Sequence, residues 1–131
     1  MKLGYTIIYV DDVEAAIGFY EKAFDVERGF VHEEGDYGEM LTGDTTLAFT
    51  SHALAATVVP GTYTKLDPTK PPAGFELTLT TPAVAEGFAQ AVEAGAEALA
   101  EPHEKPWGQT VSYVRDPFGV LVGIVSPMDA G

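Results

Sequence analysis

Residues 113–127, "YVRDPFGVLVGIVSP", read as strand, tight turn, strand. Proline at the second position of "DPFG" suits a type I turn, and the runs on either side are rich in β-branched residues. A lone hairpin cannot bury its apolar face, so more strands and a helix must pack with it. Upstream, "FELTLTT" at 75–81 is a strand, and Pro82 suits the first position of a helix whose apolar face is Val84, Phe88, Ala91 and Val92. Gly95 ends that helix. Strands at about 97–103, 109–115 and 120–126 complete a β-α-β-β-β unit.

The first half of the chain has the same order. "YTIIYV" at 5–10 is a strand that stops at Asp11 and Asp12, either of which can cap the following helix. That helix carries Val13, Ala16, Ile17, Tyr20, Ala23 and Phe24 on one face. The segments "VERGFVHEE", "YGEMLTG" and "TTLAFTS" follow, separated by Gly-Asp pairs at 35–36 and 43–44 that suit hairpin turns. Phe75 matches Tyr5 at an offset of 70, "GF" at 87–88 matches 18–19 at an offset of 69, and "VGIVS" at 122–126 matches "LAFTS" at 47–51. A duplicated module explains this repeat, whose period is too long for a solenoid. The reading is one α+β domain over 1–131, with modules at about 1–51 and 75–127. The proline-rich segment 52–74 shows no sustained periodicity and reads as a linker, which crosses between modules or wraps a neighbouring subunit.

Composition narrows the function classes. With 131 residues, 46% of them hydrophobic, the chain can build a real core. Cysteine is absent, which removes disulfides, thiolate metal sites and a cysteine nucleophile. A formal charge of −13 opposes nucleic acid and anionic membrane surfaces as partners. The N-terminal "MKLGYTIIYV" lacks the features of a secretion signal, no run is long enough to span a bilayer, and the default location is the cytoplasm. His32, His52 and His103 share no ligand-like spacing, and no serine or threonine stands in a nucleophile motif, so no catalytic residue is assigned.

The module order, with "IGFYEKAF" in the first helix, "GFELTL" opening the second module and "PWG" before "VRDPFG", resembles the vicinal oxygen chelate superfamily. That group includes glyoxalase I, extradiol dioxygenases and bleomycin-resistance proteins. The resemblance implies curved mixed sheets that cup a pocket, commonly in a homodimer. It also implies metal ligands from the first and last strand of each module, and the matching positions are Tyr5, Ala48, Phe75 and Gly123. A slip of one residue would replace Phe75 by Glu76. Alanine, phenylalanine and glycine offer no donor atom, and a neutral phenol is a poor ligand, so neither metal nor other cofactor is expected.

What remains is an aromatic cup. Tyr5, Phe75, Trp107 and Tyr113 supply rings, Ala48 and Gly123 leave space, and Gln109 adds an adaptable donor and acceptor. Ile7, Leu77 and Leu79 read as ordinary core. The expected function is metal-independent binding and sequestration of a small aromatic or drug-like molecule, in the manner of bleomycin-resistance proteins. The alternative is a glyoxalase-like lyase or dioxygenase with displaced ligands.

Overall fold

In the computed structural model, which describes residues 1–128, the chain forms two compact units, the first running to Leu66 and the second starting at Asp67. The last three residues of the 1–131 span lie outside the described residues.

In the first unit, β1 (Tyr5–Val10) leads into α1 (Val13–Phe24), followed by β2 (Glu27–Val31), β3 (Tyr37–Leu41) and β4 (Thr46–Ser51). The sheet order is β1-β4-β3-β2, with β1 parallel to β4 and the other pairs antiparallel. Of the two candidate caps it is Asp12 that starts α1, its Oδ1 accepting from the Ala15 N–H at 3.0 Å. The apolar stripe of α1 is Val13, Ala16, Ile17, Tyr20 and Ala23, all buried, and Tyr20 meets Phe49 edge-on at 5.1 Å. One element departs from expectation: α2 (His52–Val58) begins directly after β4. Ser51 caps it by accepting from Leu54 N–H at 3.1 Å, and the alanine-rich "ALAA" needs no long apolar stripe to stay helical over two turns.

The second unit repeats the plan with β5 (Leu77–Thr80), α3 (Val84–Ala94), β6 (Glu97–Glu104), β7 (Thr110–Arg115) and β8 (Leu121–Val125), in the order β5-β8-β7-β6. Pro82 lies two residues before α3 and outside it; Thr81 Oγ1 accepts from Ala83 N–H there. Gly95 does end the helix, at a φ of 124°. Val84 occupies in α3 the place of Val13 in α1, and buried Ala91 that of Tyr20, an offset of 71 in both cases (84 − 13 and 91 − 20). The two "GF" pairs, 69 apart, are therefore not structural equivalents.

The "DPFG" turn of the opening stretch holds this unit together. Asp116 Oδ1 accepts from the N–H groups of Phe118 (2.9 Å) and Val120 (2.8 Å), and Gly119 N–H closes the turn on Asp116 O. Gly119 takes a φ of +106°, and a Cβ there would stand 3.3 Å from the Asp67 and Pro68 backbone. Buried Arg115 donates to the carbonyls of Gly119 (3.2 Å), Pro68 (3.2 Å) and Asp67 (3.0 Å). Part of the proline-rich linker is thus pinned to the β7–β8 hairpin by a guanidinium. Replacing Arg115 by alanine removes these three hydrogen bonds, and urea unfolding should show a loss of about 1.5–3 kcal/mol, the scale of hydrogen bonds to a charged group. Arg115→Lys should recover only part of it, because an ammonium cannot span the same fork of acceptors.

Candidate ligand-binding faces

Side chains alternate across a strand, so each sheet has a helix side and an open side. In the first unit, Ile8 and Val10 are buried towards α1, whereas Tyr5 (56% exposed), Ile7 (42%) and Tyr9 point the other way. Cross-strand partners share a face, and the register pairs Ile7 with Ala48 and Ala48 with Glu39. Tyr37 and Phe30 belong to the same open side through their pairing with Thr50 and Glu39.

This open side is ringed by aromatics around one carboxylate. Phe30 and Tyr37 lie 6.0 Å apart, and the His32 ring sits 5.5 Å from Phe30 and 5.4 Å from Tyr37. The Tyr37 hydroxyl donates to Glu39 Oε2 at 2.6 Å. Burial first, and then this hydrogen bond, pushes the Tyr37 phenol above its ordinary range, so it stays a neutral donor. Arg28, the one arginine of this unit, is held elsewhere by ion pairs to Glu14 (2.8 Å) and Glu21 (2.9 Å) of α1. Tyr37 and Glu39 were not singled out in the sequence, although the alternation in "YGEML" carries the signal.

In the second unit, the parity of β5 changes the reading. Thr78 pairs with Gly123 and Gly123 with Tyr113, so these three share the open side. Leu77 and Leu79 pair with Val122 and Ile124, and Ile124 faces Gly87 of α3, which places both leucines, half-buried, on the helix side. Ile7, read as core alongside them, is exposed instead. Phe75 precedes β5 and is 42% exposed. The side chain that reaches Gly123 is that of Glu76: its Oε2 lies 2.6 Å from where a Gly123 Cβ would stand and accepts from Thr78 Oγ1 at 2.7 Å. The slip of one residue is therefore the correct register, and the space opened by Gly123 is filled by a carboxylate. Ala48 leaves no space either, being fully buried.

The remaining candidates sit on β7 and the turn before it. Trp107 is 59% exposed, and its indole N–H donates to Gln109 Oε1 at 2.9 Å. Gln109 Nε2 donates to Ser126 O at 3.0 Å, so this amide braces the hairpin and is not an adaptable ligand contact. Tyr113 is half-buried beside Gly123. His103 Nδ1 bonds to Glu101 O at 2.8 Å, a local tie at the exposed end of β6.

The sequence profile of the Glyoxalase/Bleomycin resistance protein/Dioxygenase superfamily matches residues 2–124, and the chain belongs to that superfamily. Solved structures agree on the fold. A glyoxalase-related enzyme from Fulvimarina pelagi is 22% identical, with a TM-score of 0.83 over 99% of this chain and 94% of its own. TioX from Micromonospora sp. ML1 is 18% identical, with a TM-score of 0.72 over 98% of this chain and all of its own. A glyoxalase/bleomycin resistance protein/dioxygenase family enzyme from Burkholderia phytofirmans PsJN is 19% identical, also at 0.72, over 98% and 100%. No curated protein matches the chain.

The metal-dependent chemistry that the resemblance implies does not fit the donors present. The first module offers a phenol at Tyr5 and a methyl group at Ala48, and the second offers the Glu76 carboxylate and a bare Gly123. One carboxylate without nitrogen or oxygen partners of its own kind makes a weak site for a divalent ion. Elemental analysis of the purified protein should find no stoichiometric zinc, nickel, iron or manganese, and EDTA should leave the unfolding midpoint unchanged. One tightly held ion per chain would contradict this.

Proposed function

We propose that the protein binds a flat, neutral or cationic aromatic small molecule without a metal, and acts by sequestering it. The observation that carries this reading is the open side of the first sheet, where Tyr5, Tyr9, Phe30 and Tyr37 present rings around the half-buried Glu39 carboxylate. Ring faces attract cations, and a carboxylate held among them adds direct charge. The overall charge of −13 concentrates cations in the same sense. Anionic thiol conjugates lack their usual clamps, since both arginines of the chain are occupied, Arg28 by two glutamates and Arg115 by backbone carbonyls. A homodimer belongs to this proposal: a second copy laid against the exposed Tyr5, Ile7 and Phe30 would give the ligand a second wall, and light scattering at micromolar concentration should report twice the monomer mass.

Ethidium and a neutral aromatic antibiotic should bind saturably by calorimetry, whereas S-substituted glutathiones should not. Glu39→Gln should weaken ethidium about tenfold while sparing the neutral ligand. Binding confined to the glutathione adducts would hand the lead to the lyase reading.

A further inference from the structure

The first unit contains a second constellation, at α2 and adjoining the open side at Tyr9. A pocket of about 360 Å³ lies between α2 and the segment that follows it, walled by Ala53, Ala56 and Val59 and bearing His52, Tyr63 and Lys65. His52 Nδ1 and Tyr63 Oη are 2.6 Å apart with their rings nearly parallel, and Tyr63 leans on Tyr9 at 5.0 Å. His52 Nε2 faces Asp11 Oδ1 at 3.8 Å. Burial of His52 lowers its pKa, Asp11 opposes that shift and Lys65 adds to it, so the imidazole is neutral near pH 7.

A neutral imidazole has one N–H, and the acidic neighbour of Nε2 favours placing it there. Nδ1 then accepts the phenol proton, and Tyr63 Oη turns its lone pairs outward as an acceptor. Lys65, one of five lysines in a strongly acidic chain, provides the opposite requirement, a ligand with negative charge. We propose that this pocket binds a small aliphatic hydroxycarboxylate, its carboxylate on the Lys65 ammonium, its hydroxyl donating to Tyr63 Oη and its carbon chain against Ala53, Ala56 and Val59. The site is independent of the aromatic-ligand reading, because it uses none of the residues on which that reading rests.

The test follows the His52 ring signals by NMR while 3-hydroxybutyrate or butyrate is added to the intact protein. Both acids should shift His52 saturably, with 3-hydroxybutyrate bound about tenfold more tightly, the scale of one hydrogen bond from a buried partner. Lys65→Ala, at an exposed position, should weaken both at least tenfold. Tyr63→Phe should erase the preference for the hydroxy acid while leaving butyrate binding in place. Absence of a saturable shift, indifference to Lys65→Ala, or a preference that survives Tyr63→Phe would each overturn the proposal.

Discussion

The parallel pairing of the first and last strand in each module decides what this protein presents to a ligand. Parallel neighbours keep a fixed register, and with a side-chain period of two that register assigns every residue to the helix side or the open side. Thr78 opposite Gly123 is enough to put Glu76 over the glycine and to turn Leu77 and Leu79 to the helix side. Ile7 opposite Ala48 does the same in the first module, leaving Tyr5 and Tyr9 outward while Ile8 and Val10 go to the core. A shift of one residue in either ladder would bury the rings and expose the aliphatics, so the character of the open faces and the integrity of the core are one constraint.

Much of this was legible from the residues themselves. Two β-α-β-β-β units, the hairpin turns at the Gly-Asp pairs and "DPFG", and the helix faces all follow from local periodicity, which does not depend on the rest of the fold. The match of "VGIVS" to "LAFTS" put Ala48 and Gly123 at equivalent places, and each is indeed the partner of a first-strand residue in its own sheet. The parity of β5 was not legible. "FELTLTT" alternates large and small residues, and both Phe75 and Glu76 can begin such a strand; only the pairing with β8 chooses between them. Identity of residue type misled the alignment because Tyr5 and Phe75 are both aromatic, whereas the structural counterpart of Tyr5 is a glutamate. The short α2 was hidden because a capped two-turn helix of alanines leaves little amphipathic signal.

The distribution of basic groups explains why so acidic a chain presents no cationic open face. Arg115 is spent on three carbonyls where the linker meets the hairpin, and its planar fork can reach them together. Arg28 ties β2 to α1 across two glutamates. Both guanidiniums therefore serve the scaffold, and the ring-lined side of the first sheet keeps Glu39 hydrogen-bonded to a neutral phenol.

That choice has a chemical consequence. A neutral donor brings no opposite charge to a carboxylate, and half-burial among rings lowers the local dielectric that would otherwise screen it. Tyr37 cannot neutralise Glu39, since transfer of the phenol proton is opposed by the same burial that raises the phenol's pKa. On the proposed reading, a flat cation approaching from outside would meet both this charge and the ring faces. A substrate anion would have to enter against that field with no arginine to receive it. On the proposed reading, selectivity on this face would come from placing the scaffold's two guanidiniums elsewhere as much as from any contact made to the ligand.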